Sequence, residues 1–246
     1  MLRYGIERFE MSHGPFGEFS TIATSYVTSL VSNGFLARNG WSVNRDDKES
    51  AIWLSGTLCH DTALQDAQTN PRLLDLRHSL ESHLIEKSDV QYFESTNSED
   101  DHYCAHKKWE SLMLVCDTIY GVSSVKCTEC DGIVAIYRLE PSSELASRLW
   151  SWDSQYAAID ACWVASGEYE LWAGNELFDI KSKLNKCGLE IAATMTHEMD
   201  CEVRYFLPTD EGVRHISCPQ CGGHFQKIHT PQYNAICDKC KIVTQH

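Results

Sequence analysis

Hydrophobic positions recur along this chain at two periods, and the switch between them predicts the order of elements. Residues 2–9 read as a strand. Ser20 or Thr21 is placed to cap a helix running through Ile22, Val27, Leu30 and Val31, and Asn33-Gly34 supplies a left-handed stop. Residues 51–57 (Ala-Ile-Trp-Leu-Ser-Gly-Thr) read as a second strand. After Pro71, residues Leu73, Leu76, Leu80 and Leu84 fall at helical spacing and predict an amphipathic helix of about four turns. Glu94 to Asp101 is polar and acidic with no apolar period, the pattern of an exposed loop.

Ser111 to Cys116 and Gly132 to Leu139 look like strands, the second ended by Pro141. A mostly helical stretch follows from Ser142 to about Ala165. The longest helix is expected near 176–199, where Leu184, Cys187, Ile191, Met195 and Met199 form one apolar stripe. Residues 202–207 return as a strand, and Pro208 to Gly212 link it to the C-terminal segment. No internal repeat is visible. The assembly this predicts is a mixed α/β (α+β) body over residues 1–212, with a division near the acidic loop 94–106, and a small module at 213–246.

That module carries the strongest motif. Cys218-Pro-Gln-Cys221 is followed after fifteen residues by Cys237-Asp-Lys-Cys240. Two cysteines separated by two residues can turn both sulfurs toward one point, and two such knuckles facing each other form a tetrahedral four-thiolate site. Pro219 stiffens the first knuckle and Gly222-Gly223 gives its exit turn. His224 to Lys227 and Asn234 to Ile236 can be the arms of a β-hairpin, with Pro231 near the tip. The expectation is a zinc ribbon with one structural Zn²⁺ on Cys218, Cys221, Cys237 and Cys240. About thirty residues cannot bury much of a core, so the module needs its metal.

Composition narrows the setting. The chain has 246 residues, 43% hydrophobic and 23% charged, which is ordinary for a globular protein. No apolar run approaches the roughly eighteen residues that span a bilayer, and the first residues lack the apolar core of a secretory signal. Twelve cysteines beside a zinc motif argue for a reducing compartment, so a cytoplasmic location without membrane contact is expected. The net charge is −14; residues 216–246 carry Lys227, Lys239 and Lys241 against Asp238, a side-chain charge of +2, which leaves −16 on the rest. Such a body opposes non-specific nucleic-acid binding and suits a basic protein partner or solubility.

Other constellations leave alternatives open. Cys127-Thr-Glu-Cys130 is a third knuckle without an obvious fourth. A tight turn between strands is the simplest reading. A second metal site completed by Cys104, His106 or Cys116, or a redox pair, are the others. Trp150, Trp152, Tyr156, Trp163, Tyr169 and Trp172 concentrate aromatics that serve either as core or as a recognition surface. His197-Glu198-Met-Asp-Cys201 lacks the second histidine of a zinc-protease helix. Paired acids such as Asp46-Asp47 and Asp100-Asp101 fall in polar stretches and read as solvated. No nucleophile elbow, Walker loop or dinucleotide fingerprint is present, so no catalytic residue is assigned. On the ribbon, His224, Phe225, Lys227, His229, Tyr233, Lys239 and Lys241 are the candidates for nucleic-acid contact.

The order of motifs resembles the bacterial family of uncharacterised predicted zinc-ribbon-containing proteins with a suggested nucleic-acid-binding role. The resemblance runs from Cys127-Thr-Glu-Cys130 and Ile136-Tyr137-Arg138-Leu139 through Trp150 to Cys162, the helix containing Gly188 and Arg204-Tyr-Phe-Leu207. It closes on Cys218-Pro-Gln-Cys221-Gly222-Gly223 and Cys237-Asp-Lys-Cys240. It implies zinc on those last four cysteines, a cytoplasmic bacterial protein and a nucleic-acid role. The expected function is a non-enzymatic zinc-ribbon protein that binds nucleic acid. The alternative is an acidic interaction or immunity-type module docking on a basic protein.

Overall fold

The computed structural model describes residues 3–10, 16–46, 51–84, 89–94, 102–116, 118, 121–165, 167–210, 215–227 and 235–245. The chain divides into two compact units. One comprises Met1–Ala105, Ile119–Ser123 and Gly132–Glu140, the other His106–Thr118, Ser124–Asp131 and Pro141–His246.

In the first unit, β1 (Arg3–Glu10), β2 (Ser42–Asp46), β3 (Ala51–Thr57) and β4 (Asp89–Glu94) form an antiparallel sheet in the order β2-β3-β1-β4. The helices α1 (Phe16–Ser32), α2 (Ala63–Thr69) and α3 (Leu74–Glu81) complete a β-α-β-β-α-α-β succession. This is the split β-α-β arrangement of ferredoxin-like folds with its second helix broken in two. Burial along β1 alternates, so Gly5, Glu7 and Phe9 face the core formed with Phe19, Tyr26, Leu30, Ile52, Leu73 and Leu80.

α1 starts four residues before the expected cap at Ser20. Thr21 and Thr24 donate their hydroxyls back to the carbonyls of Gly17 and Ser20 at 2.9 and 2.8 Å, so they satisfy themselves inside the helix instead of capping it. Its end falls where expected: Gly34 has φ +75°, which a side chain would strain. α3 is shorter than the leucine spacing predicts, because Leu73 precedes it and Leu84 follows it.

The strand expected over 132–139 is absent. Ile133 makes one isolated bridge to Tyr103, and Ile136–Leu139 is a 3₁₀ turn that ends at Glu140 in the left-handed region. The run is apolar because Ile133, Val134, Ala135 and Leu139 are all buried, and burial alone does not distinguish strand from turn. Tyr137 stacks on Phe35 with centroids 4.1 Å apart.

In the second unit, β5 (Ser111–Leu114), β6 (Val125–Cys127), β7 (Glu202–Phe206), β8 (Gln226–Lys227), β9 (Ala235–Cys237) and β10 (Ile242–Thr244) form one sheet in the order β6-β5-β7-β10-β9-β8. β7 runs parallel to both β5 and β10; the other pairs are antiparallel. The C-terminal segment is thus hydrogen-bonded into the sheet of the preceding residues. The N–H groups of Tyr205 and Leu207 donate to the carbonyls of Lys241 and Val243 at 2.8 and 2.9 Å.

Three helices belong to this unit: α4 (Ser143–Val164), α5 (Glu170–Phe178) and α6 (Lys183–Met199). The single helix expected over 176–199 is therefore two. The break has a local cause: the Asp179 carboxylate accepts from the Lys181 N–H at 2.9 Å, and Ser182 caps α6 by accepting from the Asn185 N–H at 3.1 Å. Asn185 is fully buried and its amide donates to the carbonyls of Glu176, Leu177 and Asp179, which terminates α5. Its oxygen accepts from the Tyr205 hydroxyl at 2.6 Å.

Tyr205 lies flat against α6 at Gly188. A Cβ there would stand 2.8 Å from Tyr205 Cζ and closer still to Cε2, both ring atoms locked by Trp152 and Asn185. Gly188→Ala is expected to destabilise the protein by about 1–3 kcal/mol through overpacking, although alanine is the better helix former. The midpoint of urea unfolding, followed by tryptophan fluorescence, checks it; an unchanged or raised midpoint would contradict the packing argument.

The aromatics in and around α4 and α5 divide between buried and exposed positions. Trp152 and Tyr156 are core, whereas Trp150, Tyr169 and Trp172 are exposed. Glu198, in the motif that falls short of a zinc-protease helix, accepts from the N–H and hydroxyl of Ser142, both at 2.9 Å. Its role is to hold the start of α4. No helix among the described residues is long and apolar enough to cross a membrane.

Candidate metal centres

The C-terminal centre begins with a tight turn. Cys218 donates its N–H to the Gly223 carbonyl and accepts from the Gly222 N–H, both at 2.8 Å, and Gly222 has φ +71°. The second knuckle follows β9: Cys237 ends the strand, Asp238 to Cys240 turn, and Lys241 takes φ +54° before β10. Each knuckle therefore places a left-handed residue four positions after its first cysteine. The ligand atoms of Cys218, Cys221, Cys237 and Cys240 all lie within 4.8 Å of one another, with Cys221 Sγ 3.6 Å from Cys237 Sγ.

That separation discriminates between chemistries. A disulfide requires about 2.05 Å. The edge of a tetrahedron with metal–sulfur bonds of about 2.3 Å is about 3.8 Å, close to what is found. No disulfide joins any of the twelve cysteines. The four thiols also perturb one another: burial and neighbouring thiols push Cys240 up, while the Gly223 N–H and then Cys240 hold Cys221 down at about 7. A set of four thiols with one already prone to ionise can hold a metal ion.

Around this centre the basic surface is smaller than the sequence count. Lys227 and Lys239 are exposed, but Lys241 is ion-paired with Glu202. Partial burial pushes the Glu202 carboxyl up, yet hydrogen bonds from Lys241 and Arg204 outweigh it and hold the group below its usual value. β8 pairs with β9 as the expected hairpin, Gln226 opposite Ile236. Pro231 and Asn234, expected in that hairpin, and the candidates His229 and Tyr233 lie outside the described residues, as do Asp47 and most of the acidic run 94–101.

A second group of donors surrounds the third knuckle. His106, Cys127 and Cys130 bring their ligand atoms within 4.8 Å of one another, and Cys104, two residues before His106, is counted in the same group. His106 Nδ1 stands 3.5 Å from Cys127 Sγ. Cys116, the other candidate, is engaged elsewhere: its thiol points at Asp153, 3.2 Å from Oδ1, where the buried Ser124 hydroxyl also donates. Of the three candidates named from the sequence, Cys104 and His106 are in this group and Cys116 is not; local spacing could not choose among them, because the convergence depends on the antiparallel pairing of β5 with β6.

Comparisons with known proteins stand beside this geometry. Residues 104–208 match a family described as a domain of unknown function (DUF2310). A comparison with curated proteins found no match. Among solved structures, the chain is similar to SnoaB, a cofactor-independent oxygenase from Streptomyces nogalater, at 17% identity and a TM-score of 0.34, over 40% of this chain and 96% of that one. A conserved protein from Methanosarcina mazei Go1 aligns at 7% identity and a TM-score of 0.33, over 39% and 94% of the two chains. Rv0793 from Mycobacterium tuberculosis aligns at 11% identity and a TM-score of 0.30, over 40% and 99%.

Proposed function

We propose that this is a non-enzymatic zinc-ribbon protein of a reducing, cytoplasmic setting that acts by docking on a basic protein partner. Zinc on Cys218, Cys221, Cys237 and Cys240 has only protein ligands and no open position, so its role is structural. The observation that carries the docking reading is a hollow of about 390 Å³ on the second unit. Trp163 and Phe178 give it apolar lining, Leu171 an exposed apolar edge, and Glu170, Asp179 and Asp210 give it acidic groups. Beside it Tyr169, Leu171 and Trp172 leave 65%, 79% and 51% of their surface exposed. Aromatic anchors inside a charged rim are the anatomy of a protein interface, and these acidic groups select lysine- or arginine-rich partners.

The nucleic-acid reading rests on Lys227 and Lys239, since Lys241 already faces Glu202. Two exposed lysines on a chain of net charge −14 make a weak phosphate footprint. The complex isolated from cells, with and without nuclease, separates the two. The expected result is a protein partner that survives nuclease, is lost with Leu171→Asp, and is retained with Lys227→Glu and Lys239→Glu. A partner lost on nuclease treatment and with the lysine variants would establish nucleic acid instead.

A further inference from the structure

We infer a second metal centre in this chain, a Cys₃His site formed by Cys127, Cys130 and His106 with Cys104 as fourth donor, which takes a thiophilic divalent cation of the zinc class. The first support is backbone geometry. Cys127 ends β6, residues 128–130 turn, and Asp131 has φ +55°, four positions after the first cysteine. Cys237, its turn and Lys241 at φ +54° repeat this residue for residue. A lysine tolerates the left-handed region poorly and an aspartate somewhat better, and the same conformation falls at the same place in both knuckles. In that conformation the turn closes with both sulfurs on one side.

The second support is distance. A metal with about 2.3 Å bonds to sulfur and about 2.0 Å bonds to nitrogen sets a tetrahedral S···N edge of about 3.5 Å. His106 Nδ1 and Cys127 Sγ are 3.5 Å apart. The same nitrogen lies 3.8 Å from Glu129 Oε2, so a carboxylate adds negative charge at the edge of the site. Glu129 also accepts from the Glu110 N–H at 3.1 Å, and Thr128 donates to the Ser111 carbonyl at 3.0 Å. These bonds fasten the entry to β5 onto the knuckle.

The third support is what the metal would hold. Residues 104–110 contain no strand or helix and begin the run into β5. A loop of that kind gains order from a multidentate staple much as a ribbon does. Cys104 and Cys127 are buried while His106 and Cys130 are half-exposed, which leaves an entry path for the ion. All four donors lie within residues 104–208, which end before Cys218.

The test is a Co²⁺ titration of the reduced, metal-stripped full-length chain, read by thiolate-to-cobalt charge-transfer absorption. The expected result is two equivalents for the wild type. Cys218→Ser/Cys221→Ser should keep one equivalent, with the weaker band of three thiolates. Cys127→Ser/Cys130→Ser should keep the other, with the band of four. His106→Ala guards against misfolding, since the ring is 42% exposed. It should weaken the second equivalent more than about a hundredfold and leave the first unchanged. His106→Cys should restore binding and raise the band toward four thiolates. One equivalent in the wild type, lost altogether in Cys218→Ser/Cys221→Ser, or identical titrations of wild type and His106→Ala, would overturn the assignment.

Discussion

Stripping the metal proposed on Cys218, Cys221, Cys237 and Cys240, or replacing Cys237 by serine, is expected to unfold β8 to β10 and to strip protection from β7. Beyond the burial of β9 and β10 in the shared sheet, the ribbon has little else to hold it. Its strands are two or three residues long, and β8 is exposed. Binding of a structural zinc supplies about 10–16 kcal/mol of apparent free energy to such modules, comparable with the whole stability of a domain, about 5–15 kcal/mol. Because β10 is hydrogen-bonded to β7, the loss does not stop at the ribbon. The amides of Tyr205 and Leu207, which donate to Lys241 and Val243, should exchange with solvent at least about a hundredfold faster in the stripped protein. Hydrogen exchange read by mass spectrometry, with β1 and β3 as internal reference, checks it. Lowering the pH should mimic stripping, since protonated thiols release the ion. Retained protection of Tyr205 in metal-free protein would mean that the sheet and not the metal organises the ribbon.

The C-terminal knuckles were legible because their geometry is local. Two residues between cysteines draw the turn, and in the first knuckle the glycine after the second cysteine, Gly222, takes the left-handed conformation that Lys241 takes in the second. The strand over 51–57 was legible for a related reason: its composition and length permit little else, and it lies within the sheet between β2 and β1. Where tertiary structure decides, the sequence leaves alternatives open. Cys127-Thr-Glu-Cys130 reads as a tight turn, and it is one, but its histidine partner arrives from twenty-one residues upstream through sheet pairing. The 132–139 run satisfies a strand pattern, yet its pairing stops at Ile133, which bridges to Tyr103. Ser123 instead bonds the Val134 carbonyl, and the chain closes into a 3₁₀ turn.

Burial of charge was also invisible in the residue pattern. Glu7 and Arg77 look like ordinary polar positions on a strand and an amphipathic helix, and both are almost fully buried. Sequence reasoning assigns such residues to the solvent side, because ionised groups are rarely buried without a partner. Here each is the other's partner across the sheet and α3. The signal available in the sequence was weak: Glu7 sits in phase with Phe9 and Gly5 on one face of β1.

Arg77→Met is therefore expected to cost about 3–5 kcal/mol of stability, far more than a methionine of similar reach would suggest. Arg77 donates from Nη1 to Glu7 Oε1 at 2.6 Å and to the Tyr26 hydroxyl at 3.1 Å, and from Nε to Glu81 Oε1 at 2.6 Å. Its guanidinium carbon also lies 5.7 Å from the ring centres of Phe9 and Tyr26. Removing it strands the Glu7 carboxylate in a core of aromatic rings. The pair itself contributes less than this loss implies, since ion pairs with good geometry do little more than offset their desolvation. Glu7→Gln/Arg77→Met should accordingly recover most of the stability, and the double-mutant cycle should give a coupling above about 2 kcal/mol. Burial, and after it Glu7, raises the Tyr26 phenol to about 12. That phenol stays neutral in the folded state while it ionises in the unfolded chain, so stability falls as pH rises from about 10 through 12. Urea unfolding of Arg77→Met, Glu7→Gln and the double variant beside the wild type at neutral pH measures the coupling. Additive losses would show that Arg77 acts through its contacts with the rings and Glu81, and not through the buried charge of Glu7.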